Sequence, residues 1–375
     1  MKVNLFDLLL IYETEVKKNV RNKKIILDFE KHKDYQFNKN LIKDDVINKA
    51  IIYGKNGSGK TNIGLALFDI TFHLTDKNKN MEPKIIENYL NIDSNHKYAE
   101  FYYEFKFGND RIVYKYRKIN LYRILKEELY YNDKKIIEYD FVNPKNNVID
   151  IEEAQTLNWK YNDDDLSVVK YICNNTIFTK NVALPKLMEF VNSMLWFRSV
   201  EANGFIGLRN NTNKLDNIII ENGKTKAFAK FLAENGINYD LVEIEVPNGK
   251  VLGVKKNGKI TTFESIVSSG TKALWLYYCW EIYFEKVKFL FIDEFDATYH
   301  FELAAKIVER LNAHDGFQSV LTSHNTYLMS NRLSRPDATF ILTKEYVKSL
   351  AFCTQKELRE AHNIEKMYRE GGFID

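Results

Sequence analysis

The period of the apolar positions changes along the chain. Residues 50–53 form a short apolar run, with Ile51 and Ile52 at its centre, that stops at Gly54. So short a run, closed by glycine, predicts a buried strand entering a tight turn. Residues 61–74 then place Ile63, Leu67, Ile70 and Leu74 at helical spacing. From residue 85 to 151 the pattern is aromatic, β-branched and partly alternating at 98–107, 111–117 and 128–131, which predicts antiparallel strands. Residues 143–147, with Pro144 inside, read as a connection. Residues 184–197 and 225–234 read as helices. Strands are expected at 242–245, 251–255 and 259–263, with turns at Asn248-Gly249 and Asn257-Gly258. The last third is regular again: helix 269–286, strand 288–293, helix 303–312, and strands 319–322 and 340–343. No fixed repeat and no heptad run is present.

The chemistry-bearing residues lie where these elements begin and end. Strand, glycine loop and helix follow one another at residues 50–74, and the loop fits G-x-x-x-x-G-K-[ST] in full: Gly54, Lys55, Asn56, Gly57, Ser58, Gly59, Lys60, Thr61. Its glycines let backbone N–H groups turn inward around phosphate oxygens, and the helix start adds a positive dipole end. Lys60 reaches the β- and γ-phosphates, and the Thr61 hydroxyl is a ligand for Mg²⁺. The apolar strand 289–292 closes on Asp293 and Glu294. That pattern assigns Asp293 to the metal and Glu294 to the attacking water, as its general base. The strand 319–322 closes on Ser323 and His324, and a histidine there senses the γ-phosphate. Ser268, Ser269 and Gly270 precede the long helix and form a further anion site at a helix N-terminus.

Composition narrows the class. With 45% hydrophobic and 28% charged residues the chain is globular, not disordered or fibrous. A net charge of +3 does not indicate a DNA or RNA partner, although a basic run lies at residues 17–24. Cys173, Cys279 and Cys353 lie far apart, without zinc spacing, which fits a reducing cytoplasm. No apolar run reaches membrane-spanning length, so a cytoplasmic protein is expected.

Taken together, these motifs resemble an ABC-type ATPase of the branch with structural-maintenance-of-chromosomes, RecF and OLD proteins. The continuation Lys60-Thr61-Asn62 is like the GK[ST]N of that branch, and His300 stands where transporters place an aspartate. The tail, residues 360–373, is similar to compact ATPases of abortive-infection and phage-defence systems of the PARIS, Septu and RloA type. Three positions depart from the pattern: the signature reads Ser-Ser-Gly-Thr, not Ser-Gly-Gly-Gln, and Phe301 replaces a proline.

The resemblance implies an α/β fold, a P-loop NTPase of ABC type with a mixed sheet, flanking helices and an inserted α+β region. The expected division is residues 1–84 and 264–375 for the two halves of the ATPase core, and 85–263 for the insertion. It also implies ATP with Mg²⁺ between head-to-tail subunits, in a dimer or higher oligomer. Ser268 and Gly270 then contact the γ-phosphate in trans, with Asp296 and Tyr299 at the seam. The residues after His324 are too few for a Toprim nuclease domain, so an effector is expected on another chain of the same operon. An alternative reading is a RecF-like protein whose DNA binding is regulated by ATP. A small-molecule kinase or GTPase is disfavoured, because no N-K-x-D guanine reader is found.

Overall fold

The structure is a computed structural model that describes residues 4–11, 25–77, 89–90, 97–159, 163–198, 205–208, 214–247, 249–343 and 346–373. The basic run at 17–24 and Asn248 of an expected turn lie outside the described residues.

A seven-stranded sheet forms the centre. Its order is Phe205–Gly207, Met194–Arg198, Phe289–Asp293, Gln318–Ser323, Lys49–Gly54, Thr339–Leu342 and Val347–Ser349. The inner strands run parallel, and the two edge strands pair antiparallel. Parallel strands covered on both faces need continuous apolar runs, which is why the period of two is hidden in the sequence. It reappears in the packing. Ile52, Phe289, Phe291 and Val320 enter one core, while Ile51, Tyr53, Leu290, Ile292 and Leu321 enter the other.

The helix Lys60–Leu74 covers the first face. Phe68 lies with its ring centre 5.9 Å from that of Trp196 and 6.0 Å from that of Phe289. Gly64 permits this approach, because a Cβ there would stand 2.6 Å from the Phe291 ring. On the opposite face, Trp280 of the helix Ser269–Glu281 stacks on Phe197, with ring centres 6.1 Å apart.

A second seven-stranded sheet is antiparallel throughout and packs on the outer side of the helix Lys60–Leu74. It contains the expected strands, found at Ala99–Phe107, Asp110–Lys118 and Ile124–Tyr131. The strand Asn4–Ile11 joins this sheet beside Ala99–Phe107. The joint between helix and sheet is polar despite its burial. Asp69 accepts from the hydroxyls of Tyr89 and Tyr116 and pairs with Lys118 at 3.1 Å. His73 bonds the Tyr114 hydroxyl at 2.7 Å, and burial holds its pKa below the usual value. Buried polar groups matched in this way fix one register of helix on sheet.

Some expected elements are corrected. Residues 184–197 are not one helix: the helix Ala183–Asn192 ends, and Met194–Arg198 is a strand of the central sheet. Met194, Leu195, Trp196 and Phe197 are all buried between the two cores, and this packing overrides the helical reading. The middle third thus contributes strands to the core sheet. The long helix stops at Glu281 and is followed by a 3₁₀ turn, Phe284–Lys286. Phe263, expected to end a strand, begins the short helix Phe263–Ile266. No helix among the described residues is long and apolar enough to cross a membrane.

Candidate nucleotide site

The glycine loop joins the strand Lys49–Gly54 to the helix Lys60–Leu74. Gly57 and Gly59 take φ values of 74° and 98°, a left-handed backbone that glycine adopts without strain. Gly54 has a different reason: a Cβ there would lie 2.4 Å from Ser58 Oγ. Gly59 caps the helix without a side-chain hydrogen bond, so the first-turn amides are left for another acceptor. Ser58 Oγ is buried and has no hydrogen-bond partner among the described residues. Lys60 is 5% exposed, and its Nζ donates to the Gly54 carbonyl at 2.8 Å and the Lys55 carbonyl at 3.3 Å. An ammonium held by neutral carbonyls, an orphaned hydroxyl and uncapped amides form a cradle whose unmet partner is an anion. Asn56 and Asn62 are exposed at its rim.

Asp293 closes the strand Phe289–Asp293, which Gln318–Ser323 separates from Lys49–Gly54, and is fully buried. Its Oδ2 accepts from Thr61 Oγ1 at 2.8 Å, and its Oδ1 from Thr322 Oγ1 at 2.7 Å. The same Thr322 hydroxyl accepts from the Glu294 amide at 2.8 Å. Glu294 has φ 48°, a left-handed value costing about 1–3 kcal/mol in a residue with a Cβ. The Thr322 hydroxyl anchors the amide of that strained residue. Arg198 reaches both acids, with Nε 3.2 Å from Asp293 Oδ2 and Nη2 3.3 Å from Glu294 Oε2. Strand register places it there, because Arg198 lies opposite Asp293 in the parallel pair.

His324, Ser268, Ser269 and Gly270 form no hydrogen bond with Lys60, Thr61, Asp293 or Glu294 among the described residues. His324 is exposed directly after the strand Gln318–Ser323. Ser268 caps the helix Ser269–Glu281, its Oγ accepting from the Thr271 amide at 3.2 Å. Gly270 lies against the loop after Glu294: a Cβ there would be 2.9 Å from the Thr298 carbonyl. Among the described residues no hydrogen bond links Ser268, Ser269 or Gly270 to the phosphate loop. Asp296 is 5% exposed and accepts from Ser323 Oγ at 2.7 Å. Burial raises its carboxyl pKa above the usual range, with the Ser323 bond opposing.

The structure therefore brings Lys60, Thr61, Asp293 and Glu294 into one site at the carboxyl ends of parallel strands. Sequence reasoning missed Arg198 and Thr322. Thr322 lay inside a quoted motif. Arg198 ends an apolar run just as Asp293 does, a signal lost when the run was read as helix. Thr61 Oγ1 and Asp293 Oδ2 are hard oxygen donors in mutual contact, which suits Mg²⁺ better than a soft metal.

Comparison with solved structures finds similarity to the SMC head domain from Thermotoga maritima, at 12% identity over 92% of this chain and 97% of that one, with a TM-score of 0.41. The Smc head domain with a coiled coil and joint derived from Pyrococcus yayanosii is similar at 11% identity over 99% of each chain, with a TM-score of 0.48. No curated protein matches in sequence. The family described as "AAA domain, putative AbiEii toxin, Type IV TA system" matches residues 49–330, a span that runs from the strand before the phosphate loop to beyond His324. With its glycine loop, acidic strand end and parallel core inside that span, this chain belongs to that AAA family.

Proposed function

We propose that the chain binds ATP with Mg²⁺, hydrolyses it to ADP and phosphate, and uses the cycle to gate a separate effector in a prokaryotic anti-phage defence system. The observation that carries the reading is the hydrogen-bonded line Thr61–Asp293–Thr322–Glu294 beside a cradle with an orphaned Ser58 hydroxyl. Lys60 turns from its carbonyl partners to the β- and γ-phosphoryl oxygens, and the loop amides and Ser58 hold the rest of the phosphate chain. Thr61 and Asp293 hold Mg²⁺, which when bound neutralises charge on the phosphoryl oxygens. Glu294 accepts a proton from the attacking water, and the water oxygen bonds to the γ-phosphorus as the bond to the leaving ADP oxygen breaks. His324, exposed at the next strand end, donates to the γ-phosphoryl group.

Ser268 and Gly270 of a second subunit complete the site, which makes ATP an interface ligand in a head-to-tail dimer. Among the described residues neither forms a hydrogen bond to its own phosphate loop, which supports this. ATP then shifts assembly by binding one association state more tightly than the other. The family description, which names a putative AbiEii toxin and a Type IV TA system, supports the defence setting and a partner protein.

The test is ATP turnover and mass by light scattering for three proteins. Wild type turns over ATP; Lys60→Ala loses tight ATP binding; Glu294→Gln binds ATP, does not hydrolyse it, and accumulates as an ATP-bound assembly. Normal turnover in either variant refutes the corresponding assignment.

A further inference from the structure

Arg198 belongs to none of the motifs that mark the site, yet it has the most consequential charge contact there. Asp293 is fully buried, and Glu294 is its neighbour in sequence. Two adjacent carboxylates, one of them cut off from water, repel each other and require a counter-charge. Thr61 and Thr322 offer Asp293 only neutral hydroxyls. Lys60 gives its ammonium to the Gly54 and Lys55 carbonyls. Among the described residues, Arg198 is the only cation within ion-pair distance of either acid.

Its placement is specific. The guanidinium turns Nε toward Asp293 as an ion-pair contact and donates from Nη2 to Glu294, so it bridges the two acids as a clamp. The prong toward Asp293 lies 3.2 Å from Oδ2, the oxygen that also accepts from Thr61. That oxygen and the Thr61 hydroxyl are the donors suited to a divalent cation. The other prong donates to Glu294 Oε2 at 3.3 Å and so engages the carboxylate assigned as the base. The side chain is a quarter exposed, which leaves it a path outward.

We propose that Arg198 is an exchangeable cation of the nucleotide site. It clamps Asp293 and Glu294 together before nucleotide arrives, and it yields the Asp293 oxygen to Mg²⁺, a move that also releases Glu294. Two cations cannot share one buried carboxylate oxygen at close range without strong repulsion. The clamp thereby sets a threshold for metal entry and keeps the base engaged until metal and nucleotide are in place. Arg198 acts through Asp293 and Glu294 and is a positioning residue. The inference rests on the nucleotide-site reading above.

The test reads metal binding, not turnover. Mn²⁺, a spin probe for the Mg²⁺ position, is titrated into full-length nucleotide-free protein, and free Mn²⁺ is followed by electron paramagnetic resonance. Arg198→Gln removes the competing charge and binds Mn²⁺ about tenfold more tightly, the effect of roughly one pKa unit of lost charge interaction. It also melts lower than wild type in EDTA and regains more on adding Mg²⁺. Equal or weaker Mn²⁺ affinity in Arg198→Gln overturns the proposal. Should that variant not fold, Arg198→Lys, which cannot bridge both acids, gains affinity to a smaller degree, and no gain overturns it equally. Wild-type Mn²⁺ binding that ignores Thr61→Ala removes the nucleotide-site reading and this proposal together. Thr61-dependent binding that ignores Arg198 removes only this proposal.

Discussion

Thr322→Val is the most informative substitution at a residue that sequence reasoning missed. The change is nearly isosteric, so it leaves no cavity, and it deletes one hydroxyl that has two partners. That hydroxyl donates to Asp293 Oδ1 at 2.7 Å and accepts from the Glu294 amide at 2.8 Å, and Thr322 is fully buried. Loss of a hydrogen bond to a buried charge costs about 1.5–3 kcal/mol, and a buried amide left without an acceptor costs about 1–3 kcal/mol. The sum is about 2.5–6 kcal/mol. An unfolding entropy of about 2.1 cal/mol/K per residue gives about 0.8 kcal/mol per degree for a chain of this length. The expected fall in Tm is then about 3–8 °C by scanning calorimetry. Asp293 also loses the bond that orients it toward Thr61, and loss of such a supporting contact lowers metal affinity or turnover by about 10–100-fold. Thr322→Ser keeps the hydroxyl and should retain most of both properties. A Thr322→Val protein that melts within about a degree of wild type, with unchanged Mg²⁺ dependence, would refute the reasoning, because the hydroxyl would then be supporting neither acid.

Other outcomes are equally direct. Gly64→Ala places a methyl 2.6 Å from the Phe291 ring and should destabilise by about 1–3 kcal/mol; an unchanged Tm would mean that helix and sheet part freely. Mixing Lys60→Ala with Gly270→Arg, each inactive alone, should restore part of the ATP turnover, since one composite site in the mixed dimer is intact; no recovery in a mixture shown to form dimers argues against sharing in trans. Lys49 supplies a pH test. It is 4% exposed, its Nζ donates to the Phe317 carbonyl at 2.7 Å, and burial, with Lys43 adding repulsion, lowers its pKa to about 7. Below that value the ammonium is charged in the folded and the unfolded chain alike. From about pH 7 up to the ordinary lysine value of about 10.4, the unfolded chain binds a proton that the folded chain does not, so stability rises with pH. Lys49→Met should lose that rise between pH 7 and pH 9; identical slopes in the two proteins would show that Lys49 does not titrate there.

Much of this site is written in local sequence. The loop from Gly54 to Thr61 is legible because its chemistry is local: positive φ at Gly57 and Gly59, a lysine and a hydroxyl at the helix start. Asp293 and Glu294 are legible for a similar reason, since an apolar strand that ends in two acids is a contiguous signal. The strands of the antiparallel sheet also showed, because one face of each meets the core and the other meets more polar surroundings.

Tertiary structure alone decided the rest. The run Met194–Arg198, read as the end of a helix, is buried on both faces and so carries no period that marks it as a strand. Only pairing with Phe289–Asp293 makes it a strand, and only that register brings Arg198 to the two acids from 95 residues away in the chain, counted from Arg198 to Asp293 (293 − 198). The dual contact of Thr322 depends likewise on Gln318–Ser323 lying beside Phe289–Asp293. Sequence thus named the groups able to meet phosphate and metal, through short-range geometry and residue chemistry. Which cation pairs with Asp293 and Glu294, and which hydroxyl bonds the Glu294 amide, depends on long-range strand pairing that no local pattern encodes.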